Sequence, residues 1–186
     1  MTEAPLTTLS IRDRFEIDGQ FVARRLEERD VAIVAPAFSD PGIGGENGMP
    51  PFGEEELYAV VRDLLPKLQE RGVLLPYVIE DTENGSIVGG VTLRHLDPMR
   101  GVIEVGYWLL AEARGRGLAT NAVRAVAREV FASGLWRLEA HVRIGNDASD
   151  RVLERAGFTR EGTKRRYLRH DGERVDASVY SLLADE

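Results

Sequence analysis

The first quarter of the chain alternates apolar and polar positions over short runs. Phe15-Glu16-Ile17, an Asp18-Gly19 turn and Phe21-Val22-Ala23 read as a β-hairpin. Leu26–Phe38 opens a helix near Glu28–Asp30. The stretch Pro36–Gly53 then holds five glycines and four prolines, a density at which no regular element is expected. It reads as a long loop, either functional or a surface insertion. Glu54-Glu55-Glu56 places acid on the first turn of a helix, where the dipole favours it. Leu57, Val60, Val61, Leu64 and Leu68 continue that helix at helical spacing, and Pro66 is expected to kink or divide it.

Strands follow at Leu74–Ile79, Ile87–Leu93 and Val102–Leu110, the first two joined by the Glu83-Asn84-Gly85 turn. Leu118–Phe131 is the clearest helix: Leu118, Ala122, Val126 and Val130 recur every four residues, Arg124 and Arg128 lie off that stripe, and Gly134 stops it. Arg137–Val142 alternates as a strand. Asp147–Ala156 is a short helix closed by Gly157. From Phe158 onward, Tyr167–His170, the Asp171-Gly172 turn and Val175–Leu183 form an antiparallel pair. This order predicts an α/β (α+β) fold, a mixed sheet with helices on its faces, in a single domain over residues 1–186 with no internal repeat or dividing linker.

Composition narrows the chemistry. A chain of 186 residues, 43% hydrophobic and 30% charged, suits one ordinary folded domain. Cysteine is absent, which removes a disulfide framework, a thiol nucleophile and a Cys-ligated zinc. His95, His141 and His170 are far apart in sequence, so no metal site is expected. Met1–Ser10 lacks a basic segment followed by an apolar core, and no apolar run approaches the roughly 20 residues of a membrane span; no membrane contact and a cytoplasmic protein are expected.

The net charge of −7 disfavours bulk nucleic-acid binding. Its distribution is uneven: residues 1–93 carry 8 basic and 17 acidic side chains, residues 94–186 carry 16 and 14. The second half is the natural place for an anionic ligand. Nearly all the basic residues are arginine, the exceptions being Lys67 and Lys164, a usage ascribed to genome composition.

The chemistry concentrates where the Val102–Leu110 strand runs through Ala111-Glu-Ala-Arg114-Gly115-Arg116-Gly117 into the helix that starts at Leu118. Glycines let the backbone approach a ligand, free N–H groups at a helix start hold anions, and Arg114 and Arg116 add two forks suited to phosphate. No Gly-Lys-Ser/Thr follows, so this is not a nucleotide P-loop. Thr120 stands where a dinucleotide fingerprint needs its third glycine.

Arg114-Gly-Arg-Gly117-Leu-Ala119 resembles the Arg/Gln-x-x-Gly-x-Gly/Ala signature of the GNAT N-acetyltransferase superfamily. The segments Arg137-Leu-Glu-Ala-His-Val-Arg143, Asn146-Asp-Ala-Ser149 through Gly157-Phe158, and Glu161-Gly162 look like its RimJ/RimL branch, the ribosomal-protein N-terminal acetyltransferase-like group. The likeness is specific over Ile87–Leu183 and rests on element order alone over Phe15–Arg71. Residues 36–53 depart from the pattern, which leaves the acceptor open.

The resemblance implies a mostly antiparallel central sheet of about seven strands, splayed in the middle and flanked by about four helices. It implies acetyl-coenzyme A as co-substrate, no metal, and direct transfer of acetyl to a primary amine, on a protein N-terminus or a small metabolite or antibiotic. The coenzyme would lie against Trp108, Leu109, Leu110, Arg114, Gly115, Arg116, Gly117, Leu118, Ala119, Thr120 and Asn146. An N–H near Leu109 would serve as oxyanion donor.

Glu104, inside an apolar strand where burial raises a carboxyl pKa, is the candidate base; its alternative is a structural ion pair. Ser149, in place of the Tyr common in the superfamily, is the candidate acid for the leaving thiolate; it and Asn146 also suit the cap of the short helix. Trp108 and Trp136 read as core, Tyr107 and Tyr167 as buried or as pocket walls, and His141, on the strand that faces coenzyme A in the family, as a satisfied structural histidine or a catalytic one. Lys164, Arg165, Arg166 and Arg169 form a basic cluster that is either a solvated strand face or a contact for RNA or the ribosome. Two rival functions remain: a transferase taking another acyl donor such as aminoacyl-tRNA, and a non-catalytic acyl-coenzyme A sensor. The molecule is expected to be a monomer or homodimer.

Overall fold

The computed structural model describes residues 11–40, 43 and 53–185. Its sheet is built from β1 (Arg14–Glu16), β2 (Phe21–Arg25), β3 (Leu74–Asp81), β4 (Ile87–Asp97), β5 (Val102–Leu109), β6 (Arg137–Arg143), β7 (Thr159–His170) and β8 (Glu173–Leu183). The strand order is β1-β2-β3-β4-β5-β6-β8-β7, eight strands rather than about seven. The predicted first hairpin is present: Asp18 Oδ1 accepts the N–H groups of Gln20 and Phe21 and fixes the turn.

All neighbouring pairs are antiparallel except β5–β6. That parallel pair lasts three registers, from Val102 opposite Arg137 to Glu104 opposite Glu139. Beyond Glu104, β5 stays paired with β4 as far as Leu109 and β6 with β8 as far as Arg143, so the sheet opens between them.

The helices are α1 (Val31–Ser39), α2 (Glu54–Ala59), α3 (Leu65–Glu70), α4 (Leu118–Ala132) and α5 (Asp147–Ala156). Pro36 lies inside α1, where the sequence reading places the start of the loop. Burial of Val31, Val34, Ala35 and Ala37 on one face offsets the cost of about 3 kcal/mol that a helical proline imposes. The rest of the predicted loop, residues 41–42 and 44–52, and the Met1–Ser10 segment lie outside the described residues. Near Pro66 the run is divided into α2, a π turn at Val60–Leu64 with Leu65 N–H bonded to Val60 O, and α3, whose first turn holds Pro66.

Two apolar clusters form the core. One joins α4, Leu153 of α5 and Phe158 to the sheet, with Val123, Val126, Val130, Ile103, Val91 and Leu138 fully enclosed. The other packs α1, Leu57, Val61 and Leu65 against Val78, Ile87 and Trp108 on the opposite face. Trp108 is core, as expected, edge-on to Phe38. Its indole lies so close over Gly90 that a β-carbon there would come within 2.7 Å of Nε1. Trp136 is not core: half its surface is exposed and Nε1 donates to the Arg100 carbonyl. No helix among the described residues is long and apolar enough to cross a membrane.

Candidate functional site

The phase of the β4–β5 ladder decides which backbone groups face the opening. Leu110 N–H donates to Val88 O at 2.9 Å, which makes Leu110–Val88 a bonded register. Registers alternate in an antiparallel pair, so Trp108 opposite Gly90 is bonded too, while the N–H groups of Leu109 and Tyr107 turn away from β4. On that side β6 has diverged, and these groups meet the gap. The expectation for residues 108–110 is therefore corrected: Leu109 presents its backbone to the gap, whereas the N–H groups of Trp108 and Leu110 belong to the ladder. Leu110 does not line the cleft.

That gap widens into a cleft of about 610 Å³. Trp108, Leu109, Arg114, Gly115, Gly117, Leu118, Ala119, Thr120, Asn146 and Ser149 all line it. Gly117 takes the left-handed conformation (φ 82°) immediately before α4, turning the chain so that the helix start faces the cleft. Arg114 is anchored by its Nε donating to Leu109 O at 3.0 Å. Arg116 does not line the cleft; its guanidinium turns back to the Glu112 carbonyl.

Cleft cations that sequence reasoning missed come from elsewhere: Arg143 at the end of β6, and Arg151 and Arg155 on α5. The last two are four residues apart and so share one helix face, a signal present in the sequence. A separate cleft of about 620 Å³ is lined by Arg24, Arg25 and Arg29 among others. Those guanidiniums pair with Asp30, Glu80, Asp13 and Glu27, which makes it a self-neutralised polar surface away from the gap.

Asn146 caps α5, its Oδ1 accepting Ser149 N–H at 3.2 Å. The Tyr107 hydroxyl donates to Ser149 O at 3.1 Å, and burial pushes that phenol above its ordinary range, so it stays a neutral donor. Tyr107, Arg143, Asn146 and Ser149 also line a small pocket of about 40 Å³ between the splayed strands, where Arg94 and His141 join them. Cleft and small pocket thus share Ser149 as a wall.

Glu104 sits behind this pocket, 5% exposed. Arg94 Nε and Nη2 reach its Oε1 at 2.9 and 2.7 Å; His95 Nδ1 lies 3.0 Å and His141 Nδ1 3.1 Å from Oε2. Burial pushes the carboxyl up, as the sequence reading expects. The contact with His141, the Arg94 charge and His95 outweigh it, and the carboxyl is held well below the usual range. A carboxylate so held is a weak base, which corrects the premise that burial tunes Glu104 toward neutrality.

Two irregular strands build this cluster. Successive strand residues point to opposite faces, yet Arg94 and His95 both reach Glu104; the β4 ladder slips here and His95 has φ 55°. Likewise Lys164 and Tyr167, three apart on β7, both reach His141: Lys164 Nζ is 2.7 Å from Nε2, and the two rings are 4.6 Å apart. Between them the β7 ladder slips, and Arg166 takes φ 52° while its N–H donates to Asp176 Oδ1 at 2.8 Å. Arg165, Arg166 and Arg169 of the basic cluster stay exposed.

A family model described as the acetyltransferase (GNAT) domain matches residues 20–159. YdaF of Bacillus subtilis (strain 168), a ribosomal N-acetyltransferase by name, is 36% identical over 104 residues, 55% of this chain and 57% of its own length. The chain thus spans little more than half of that relative. YoaA of the same organism, an uncharacterized N-acetyltransferase, is 26% identical over 167 residues, 88% of this chain and 93% of its own. Mycobacterium smegmatis RimJ in complex with CoA-disulfide superposes with a TM-score of 0.79 at 26% identity, covering 89% of this chain and 82% of that one.

Proposed function

The chain belongs to the acetyltransferase (GNAT) family; from that premise we propose that it is an acetyl-CoA-dependent acyltransferase that acetylates a primary amine, on a protein N-terminus or a small amine-bearing molecule, by direct transfer. The observation that carries this reading is that the cleft and the small pocket between the splayed strands share Tyr107, Arg143, Asn146 and Ser149 as walls; the cleft would take the donor and the pocket would admit the reacting amine.

The residues present suit the donor. Arg114, Arg143, Arg151 and Arg155 offer charge to its phosphates, and the start of α4 beyond Gly117 offers backbone N–H groups to the same anions. Acetyl-CoA supplies the activated thioester. Leu109 N–H, turned into the gap, would donate to the carbonyl oxygen as charge develops there, and the Ser149 hydroxyl would give or share a proton at the departing sulfur. An α-amine has a pKa near 7.7–8.0, so it arrives largely protonated and a proton acceptor is required.

YdaF carries the name of a ribosomal N-acetyltransferase, which fits a protein acceptor. Following thiol release from acetyl-CoA with a panel of N-terminal peptides and small amines tests the reading. Release that matches amine acetylation supports it. Activity that needs charged tRNA and is abolished by ribonuclease, or tight coenzyme A binding with no transfer to any amine, overturns it in favour of the two rivals.

A further inference from the structure

In a chain that uses arginine at all but two of its 24 basic positions, Lys164 stands where the difference matters. A nitrogen-to-nitrogen contact of 2.7 Å between Lys164 Nζ and His141 Nε2 must hold a hydrogen. A lysine can pass that proton across, whereas a guanidinium does not give one up. On the ring's other side, Nδ1 lies 3.1 Å from Glu104 Oε2, a charge contact without an aligned hydrogen bond, and the His141 side chain is 2% exposed. Tyr167 stacks on the ring, and His141 itself lines the small pocket beside Ser149.

We propose that His141, with Glu104 as its orienting carboxylate and Lys164 as proton conduit, is the group that takes up the proton of the acceptor amine. The proposal rests on the amine-acetylation reading above. At rest the pair holds an ammonium at Lys164 and a neutral imidazole with its hydrogen on Nδ1, towards Glu104. The acceptor ammonium gives one proton, through water, to Lys164 Nζ, as Lys164 passes one of its own to His141 Nε2. The result is a neutral amine, an unchanged ammonium at Lys164 and an imidazolium against the Glu104 carboxylate. The amine lone pair then forms the new C–N bond; as the C–S bond breaks its electron pair stays on sulfur, and the second amine proton passes to that thiolate, directly or by way of the Ser149 hydroxyl. Solvent removes the proton from the imidazolium after the product leaves.

Glu104 keeps its charge throughout, which is the part a carboxylate plays behind a catalytic histidine. Imidazole is the side chain whose protonation changes most readily near neutral pH. The charged and titratable groups around the ring are Glu104 from β5, Lys164 and Tyr167 from β7, and Arg94 and His95 from β4 through the shared carboxylate.

Steady-state kinetics of His141→Gln and Lys164→Arg across pH test this, beside acetyl-CoA affinity by calorimetry. His141→Gln is expected to lose about 10²- to 10⁴-fold in kcat, the size of a general-base contribution, and the acid limb of the kcat/KM profile, with acetyl-CoA Kd unchanged. Lys164→Arg keeps the charge but not the relay, and is expected to lose kcat at unchanged KM. Wild-type kcat and an intact acid limb in His141→Gln overturn the proposal, and wild-type kcat in Lys164→Arg removes the conduit.

Should His141→Gln fail to fold, ¹⁵N NMR of the wild-type ring decides. The Nδ1–H tautomer with a lone pair on Nε2 supports the arrangement, and the Nε2–H tautomer overturns it. Wild-type protein that acetylates no amine fails the functional reading itself; the tautomer measurement still tests the His141 arrangement.

Discussion

Glu104 shows how one side chain changes meaning between sequence and fold. From its apolar strand the sequence correctly implies burial, and burial alone raises a carboxyl pKa. The partners that reverse the direction come from positions 94, 95 and 141; Arg94 stands opposite Glu104 in the ladder, and His95 arrives through a strand irregularity that no periodicity signals. The consequence for stability has a definite sign. The folded state holds this carboxyl below its unfolded value, so the contribution is complete above the ordinary carboxylate pKa of about 4.3 and is lost as pH falls through the folded value. Glu104→Gln should therefore be less stable than wild type at pH 7, by about 3–5 kcal/mol because Arg94 is left without its counter-charge. It should also lose part of the acid-induced fall in stability, as read by urea melts from pH 7 down to pH 3. The same variant should lower turnover. Equal stability of the two proteins at pH 7 would count against the network.

At the scale of elements, α4, its glycine-bearing entry and β6 are legible because spacing and turn chemistry agree there. The extent of α1 is not, since burial of its apolar face overrides Pro36. Nor is the π turn before Pro66, which depends on how α2 and α3 pack. The donor loop offers a direct test. Gly117 has open space where a β-carbon would stand, so Gly117→Ala adds backbone strain without a clash. A left-handed alanine costs about 1–2 kcal/mol. The variant is expected to fold and to bind coenzyme A more weakly in calorimetry; undiminished affinity would show that the α4 entry does not shape the site. On α5, Arg151→Ala and Arg155→Ala should each raise KM for acetyl-CoA several-fold while leaving kcat near wild type. The shortfall should shrink at high salt, where phosphate attraction is screened; an effect on kcat alone would place these arginines in another role.

For the whole molecule, the decisive feature is a sheet that opens at one seam. Three parallel registers between β5 and β6 hold its base, and beyond Glu104 each strand keeps only its outer neighbour. The seam turns Leu109 N–H to the gap, gives cleft and pocket Ser149 as a shared wall, and sets His141 beside Glu104. The sequence half richer in basic residues contains this seam, in line with an anionic donor. The most direct measurement is thiol release from acetyl-CoA by the wild-type protein, with amine acetylation followed by mass spectrometry on N-terminal peptides and small amines. The account predicts one acetylated amine for each thiol released, at a rate that needs neither RNA nor metal to be added. Coenzyme A bound tightly with no amine in the panel acetylated would contradict it.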